Sequence, residues 1–85
     1  MHVEVINAWY GVQGRIEENR GGQVAERLRQ NVAQNGGRLV LNGDLNAFFG
    51  FDPAPGAPKQ AAIHVRHNGQ EHHLRANEGQ PFHFP

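Results

Sequence analysis

The chain has 85 residues, no cysteine, and eight basic and eight acidic side chains, so its formal net charge is zero. A chain of this length forms one domain, residues 1–85, and buries only about 60–65% of its unfolded surface. Disulfides and thiolate metal sites are excluded, no basic patch marks a nucleic-acid partner, and no net charge keeps copies apart.

The first predicted element is a strand over residues 3–10, where β-branched and aromatic residues dominate. Gly11 and Gly14 are expected to end it, and residues 15–22, which are polar and end in glycine, are expected to form an exposed loop. No signal-peptide pattern and no long apolar run is present, so no membrane insertion is expected. A cytoplasmic location is favoured, with secretion after removal of a leader as the alternative.

One amphipathic helix is predicted, from Gln23 to Asn35. Val24, Leu28 and Val32 follow one another at intervals of four residues, and the positions between them are polar. The Asn-Gly-Gly that follows is a helix-stop signal, because Asn and Gly tolerate the left-handed conformation of a C-terminal cap. The helix is therefore expected to cover an apolar surface.

A short strand over residues 38–42 leads into a stretch rich in phenylalanine and proline, FFGFDPAPGAPK. Proline lacks an N–H and fixes φ, so no central strand or helix interior can pass through residues 53–58. We interpret it as a structural corner pinned by its aromatic rings, with Asp52 in an Asx-type turn. The corner residues are Phe48, Phe49, Phe51, Asp52, Pro53, Pro55 and Gly56.

Asn68-Gly69 lies between two β-rich runs and predicts a two-residue type I′ hairpin. That turn fixes the register and places Ile63, Val65 and Leu74 on the core side. The predicted cross-strand pairs are His67 with Gln70, Arg66 with Glu71, Val65 with His72, His64 with His73, and Ile63 with Leu74. The tail predicts a last short strand in which Phe82 and Phe84 dock into the core, with the flanking prolines limiting it to an edge.

Six histidines raise the question of a metal site. His64 and His73, paired across the hairpin, could share a metal if His83, His2 or Glu71 supplied a third donor. A solvated histidine face is the alternative. Histidine ordinarily changes charge between pH 5 and 8, so a pH response is possible without a metal.

Other chemical motifs are weaker. The NGDLN stretch, residues 42–46, is similar to the GD-x-N element of metal-dependent endonucleases and phosphatases, but 85 residues cannot hold that large sandwich, and a turn is expected instead. Asp44, Asn46 and Asp52 do not have EF-hand spacing. Serine, threonine and cysteine are absent, and Glu17-Glu18 is typical of a solvated loop. The chain is therefore not expected to be an enzyme, and no cofactor is expected.

Trp9 and Tyr10 form a candidate interaction surface, together with Arg66 and Glu71. Amphipathic rings beside glycine can bind a sugar or a peptide, although large aromatics in so small a domain more often belong to the core.

The chain resembles a known family through AWYG (residues 8–11), the aromatic-Asp-Pro-x-Pro-Gly-x-x-Lys run and the Asn-Gly hairpin. It is similar to the C-terminal domain of the mitochondrial DnaJ-type (subfamily C) co-chaperone of the contact-site and cristae machinery, and to short bacterial domains of unknown function. The resemblance implies a compact β-sandwich-like adaptor or assembly module, without catalytic residues to carry over. The chain departs from the family pattern at His64, His67 and His72.

Together these observations predict a mainly β domain: five or six short strands in two layers with one short amphipathic helix. The expected function is a non-enzymatic protein-interaction or self-assembly module with a scaffolding role, whose partner is a protein, including a second copy in a homo-oligomer or filament. The alternative is a small-ligand domain that binds a carbohydrate or a metal through Trp9 and Tyr10 or through His64 and His73.

Overall fold

The computed structural model describes residues 2–12 and 15–85, with only the backbone described for residues 15–17. The strands are β1 (Glu4–Val12), β2 (Arg15–Glu18), β3 (Leu39–Leu41), β4 (Lys59–His67), β5 (Gln70–Asn77) and β6 (Phe82–Phe84). The helices are α1 (Gln23–Gln34) and α2 (Leu45–Phe49), and a 3-10 turn, Arg20–Gly22, precedes α1. None of the helices in this described part is long and apolar enough to cross a membrane.

Four strands form an antiparallel sheet in the order β2-β1-β4-β5, and β3 pairs with β6 in a second, two-stranded sheet. Helix α1 packs on β1 and β3 through Val24, Ala25, Leu28 and Val32, so the core lies between the large sheet and the helix with the small sheet. The prediction of a mainly β domain with one amphipathic helix is confirmed.

The prediction of a loop after the first strand is wrong. Residues 15–18 form β2, which pairs with the end of β1, and β1 itself runs through Gly11 to Val12. Gly14, the other expected strand end, lies outside the described residues. The reason is that β2 pairs with the end of β1 at the margin of the sheet through backbone N–H and C=O groups, which every residue of the segment carries whatever its side chain.

Strand β1 contains a bulge at Ile6. Val5 pairs with Val65 but Asn7 pairs with His64, so Ile6 is an extra residue on the β1 side. Arg29 of α1 fixes this bulge: its Nε donates to the Val5 carbonyl at 3.0 Å and its Nη2 to the Ile6 carbonyl at 3.1 Å. The helix therefore supplies partners for backbone oxygens that the bulge removes from the regular ladder.

The hairpin of β4 and β5 has the predicted register at every pair from His67–Gln70 to Ile63–Leu74. Asn68 and Gly69 have φ values of 53° and 78°, as a type I′ turn requires. Ile63 and Val65 are buried, and half-buried Leu74 packs against the same core. A two-residue turn thus determines the pairing of both strands.

Strand β3 is shorter than residues 38–42 but lies where the sequence predicts it. The predicted tail strand is β6, and its half-buried Phe82 and Phe84 pack against the core as expected. On the outer side of β3, the Asn31 amide donates to the Val40 carbonyl at 2.9 Å and accepts from the Val40 N–H at 2.8 Å. One side chain of α1 therefore substitutes for a neighbouring strand.

The turn predicted at residues 42–46 is in part a helix. Asp44 caps the N-terminus of α2, accepting from the Ala47 N–H at 3.4 Å, and Gly50 ends the helix in the left-handed conformation. Five helical residues are too few for a recognisable apolar period, so only the Asp and Gly caps could have indicated this element.

Candidate interaction surface

The outer face of the four-stranded sheet carries cross-strand rows of polar and aromatic side chains. We call this surface the open face; its rows are Glu4–Arg66–Glu71, Asn7–His64–His73 and Trp9–Ala62–Arg75. The core is built from the opposite side of the same strands. All nine open-face residues are exposed or half-buried, so this face is available to a partner.

His64 and His73 are brought together as predicted. Their rings stack with centroids 4.4 Å apart and an interplanar angle of 14°. Parallel stacked rings direct their nitrogens along parallel planes, so the nitrogens do not converge on one point. A 2.7 Å hydrogen bond also joins His64 Nε2 to Glu71 Oε1.

Among the side chains that the structure describes, none completes a metal site with this pair. In the described part of the chain, no group of three or more histidine, aspartate or glutamate side chains could hold a metal ion. Of the candidate donors, Glu71 bonds to His64 itself, and His83 lies in β6 of the other sheet. The pair therefore lacks the ligand number of a zinc site.

Arg66 and Glu71 form the predicted cross-strand pair. Arg66 Nη2 lies 3.2 Å from Glu71 Oε2, and both side chains are about half exposed. The hydrogen bonds from His64 and Arg66 lower the pKa of Glu71 below its ordinary value of 4.5. Exposed ion pairs of this kind contribute little to stability. The main effect of this pair is to orient the two charges on the open face.

The surface proposed from Trp9 and Tyr10 together requires a correction. Neighbouring residues of a strand point to opposite faces, so the two rings cannot form one platform. Tyr10 is fully buried, whereas Trp9 is half-buried on the open face beside Ala62. Of the two, only Trp9 lies on the open face.

The hollow at Trp9 is too small for a typical small-molecule site. It is a groove of ≈ 220 Å³ lined by Trp9, Ala62, Ile63, His64, His73, Leu74 and Arg75. Small-ligand pockets usually enclose about 300–1,000 Å³ and are concave. The shape of the open face is better suited to a broad contact than to an enclosed ligand.

The corner at residues 48–56 packs into the core as the sequence predicts. Phe49 is buried, with Phe48 and Phe51 half-buried against the same cluster. Tyr10 contacts Phe49 with ring centroids 4.7 Å apart and Phe51 edge-on at 5.5 Å. Asp52 accepts from the Ala54 N–H at 3.1 Å, which is the expected Asx-type turn before Pro55 and Gly56.

Beneath this corner lies a buried ionic group that we did not predict. Lys59 is the only lysine of the chain, and its side chain is 4% exposed. Its Nζ lies 3.1 Å from Asp52 Oδ1 and 3.4 Å from Glu78 Oε1, and donates to the Ala54 carbonyl at 3.2 Å. The alternation with Ala61, Ile63 and Val65 placed Lys59 on the core face and could have revealed it.

The charge of Lys59 argues against a nucleophilic role. Burial alone lowers a lysine pKa, and a neutral amine could then act as a nucleophile. Here burial acts in that direction, but the hydrogen bonds and charges of Asp52 and Glu78 outweigh it and raise the pKa of Lys59 above 10.5. Lys59 is therefore a charged structural anchor between the corner and the residues that follow β5.

The same network holds the Tyr10 hydroxyl. Tyr10 donates to Asn46 Oδ1 at 2.6 Å, and Asn46 Nδ2 donates to Glu78 Oε2 at 3.1 Å. Burial, followed by the charges of Glu78, Asp52 and Asp44, raises the pKa of Tyr10 well above its ordinary value of 10.0. The hydroxyl therefore keeps its proton in the folded chain at pH values where a free tyrosine loses it.

This raised pKa predicts a loss of stability in alkali. The unfolded chain releases the Tyr10 proton near pH 10, but the folded chain does not. The contribution of Tyr10 to the free energy of unfolding is therefore complete below pH 10. Above pH 10 it declines by at most about 1.4 kcal/mol per pH unit. Tyr10 is the only tyrosine, so tyrosinate absorbance reports it alone. We expect this absorbance to rise together with loss of the circular dichroism signal. A rise near pH 10 in the folded protein would contradict the assignment, and urea-unfolded protein is the control.

Of the other open grooves on the described surface, two adjoin the corner and α2. One, of ≈ 820 Å³, lies beside the corner, but its polar groups are already engaged: Asp52 bonds Lys59, and Arg20 lies 4.1 Å over the Phe51 ring. The other, of ≈ 410 Å³, lies between α1, β3 and α2, where Val40 is 42% exposed. Neither groove combines free polar groups with an enclosed shape.

Strand β5 is the outermost strand of the large sheet on the side away from β2. It has eight residues, no proline and no irregularity in its pairing with β4. Proline, bulges and very short length are common protections of an edge against pairing with another chain. β5 has none of these three protections, although it carries the charged Glu71 and Arg75, so it extends the open face to an edge at which pairing with a further strand depends on how those charges are matched.

Comparison with known proteins returned no family model, no curated protein and no solved structure that matches the chain. The resemblance to the co-chaperone C-terminal domain therefore stays a prediction.

Proposed function

We propose that this chain is a non-enzymatic protein-interaction module that self-assembles and serves as a scaffold. The observation that carries the proposal is the open face: nine side chains of β1, β4 and β5, half-buried Trp9 and the stacked histidines among them, are exposed or half-buried, and this face ends at the outer edge of β5. Flat surfaces with an aromatic anchor and a charged rim suit protein partners.

Three further observations support this class of function. The chain contains no serine, threonine or cysteine nucleophile, and its only lysine is held charged and buried. The net charge of zero leaves no long-range repulsion between copies. A small core also gains stability when an association removes more surface from water.

Sedimentation velocity from micromolar to millimolar concentration, in buffer containing EDTA, tests the self-assembly. We expect the mass to rise with concentration, and EDTA excludes metal-bridged aggregates. Trp9 is the only tryptophan, so its emission shows whether the open face is covered in the assembly. A strictly monomeric species at millimolar concentration would remove self-assembly from the proposal.

A further inference from the structure

The hairpin register determines which backbone groups of β5 face outward. Across a two-residue type I′ turn the closing pair, His67 and Gln70, exchanges its hydrogen bonds, and such pairs then alternate along the ladder. Residues 70, 72, 74 and 76 are therefore bonded to β4. The N–H and C=O groups of Glu71, His73 and Arg75 point away from the sheet, toward an added strand.

The same three residues place their side chains on the open face, in the order acid, histidine, base. Read in the reverse direction, that order is base, histidine, acid. An antiparallel copy of β5 centred on His73 therefore brings each Glu71 opposite an Arg75. Opposite charges directly across strands are stabilising, and like charges are destabilising.

We propose that two copies of this chain join edge to edge through β5, antiparallel about a two-fold axis at His73, so that Glu71 lies opposite the partner's Arg75. This inference rests on the proposed self-assembly and names its partner and register. The residues of the contact are those with outward backbone groups, so hydrogen bonding and charge pairing select the same alignment. On the core side, half-buried His72 lies opposite the partner's Leu74, and half-buried Leu74 lies opposite the partner's His72.

Other alignments that also pair the residues with outward-facing backbone groups are less favourable. Centring the pair on Glu71 places two carboxylates opposite each other, and centring it on Arg75 places two guanidinium groups opposite each other. Moving the two-fold axis by one residue, to position 72 or 74, places Glu71 or Arg75 opposite the partner's His73. The other of these two charged residues then has no opposite charge across from it. The alignment at His73 extends the row Glu4–Arg66–Glu71 by the partner's Arg75, so charge alternates across the joined sheets.

The proposed contact closes after two copies. A two-fold interface uses the same edge on both chains, so each β5 is consumed and β2 remains at both outer margins of an eight-stranded sheet. A head-to-tail contact between β5 and β2 would instead continue from copy to copy, as a ring or as an open filament. The proposal therefore expects a dimer and not a filament.

Cysteine cross-linking tests the register, because the chain has no cysteine of its own. Residues in a hydrogen-bonded antiparallel pair have Cα atoms about 5.5 Å apart, within the range that a disulfide spans. We expect His73→Cys to give a covalent dimer on mild oxidation or with a short bismaleimide. Glu71→Cys and Arg75→Cys should each stay uncoupled, since equivalent residues lie about 14 Å apart along the strands, whereas an equimolar mixture should couple to a heterodimer.

A charge reversal gives a second test. Arg75→Glu places two acids opposite each other at both ends of the contact, and we expect the dissociation constant to rise about tenfold or more. Arg27→Glu makes the same change of net charge on the exposed side of α1 and should leave the dissociation constant unchanged.

These experiments distinguish a failure of the proposed register from a failure of the proposed self-assembly. A dimer by sedimentation whose His73→Cys variant does not cross-link would overturn the register while self-assembly stands. Cross-linking of Glu71→Cys or Arg75→Cys alone would indicate one of the like-charge alignments and overturn it as well. A monomer throughout would overturn the proposed self-assembly, and the register with it.

Discussion

Lys59→Met is expected to lower the midpoint of thermal unfolding by about 10 °C or more. Met matches the volume and the unbranched shape of the lysine stem, so packing is largely kept. The cation is lost, however, and the carboxylates of Asp52 and Glu78, whose side chains are 34% and 27% exposed, are left without the positive charge that both of them contact. Removal of one partner from a buried ionic group leaves uncompensated charge, which is the larger part of the effect.

Circular dichroism during heating measures this change. A matched variant replaces the whole group with neutral side chains, Lys59→Met with Asp52→Asn and Glu78→Gln, and should recover much of the loss because no charge then lacks a partner. The amides retain an acceptor oxygen for the Ala54 and Lys59 N–H groups. If the triple variant were as unstable as Lys59→Met alone, the loss would come from packing and the electrostatic explanation would be wrong.

Gly43→Ala is expected to destabilise the fold by about 3 kcal/mol or more. Gly43 has a φ of 100°, and a Cβ built there lies 2.9 Å from the Gln80 backbone nitrogen. The strained φ alone costs about 1–2 kcal/mol for an L-residue, and the overlap with backbone adds to it because the neighbour cannot rotate away. The Gly43 carbonyl also accepts from the Gly79 N–H at 2.9 Å, so a local shift would break this link between the β3–α2 connection and the segment after β5.

Gly56→Ala is the matched control for this prediction. Gly56 has a φ of 82°, but a Cβ there meets nothing within 4 Å. Urea unfolding of both variants separates the two contributions: we expect about 1–2 kcal/mol for Gly56→Ala and the additional loss only at Gly43. Equal losses at the two positions would show that the close approach of Gln80 is relieved without cost.

The parts of the fold predicted from sequence are those determined by local chemistry. Asn68 and Gly69 fix a turn type, the turn fixes the register, and the register places His64 against His73 and Arg66 against Glu71. Helix α1 could be predicted for a similar reason, since its apolar residues repeat with a helical period and a glycine pair follows it.

The parts that were missed depend on contacts between distant residues. Strand β2 has a polar sequence and forms because the end of β1 offers it an edge. Only part of the ionic group could be predicted from the sequence. Strand alternation places Lys59 inward, but nothing local predicts that Glu78, which follows β5, contacts it. The proposed partner surface also required the strand order, since only the sheet topology shows that β5 is outermost.

The bulge at Ile6 decides which aromatic ring the chain shows to its surroundings. Without an inserted residue, the inward phase of Val3 and Val5 would continue to Trp9, and the phenol of Tyr10 would face outward. The inserted residue reverses the phase halfway along the strand, and Arg29 holds the reversal from the helix on the opposite side. The one extra residue in β1 thus determines which side chains of this strand face outward. Arg29 holds the bulge in place, although Arg29 does not itself lie on the open face.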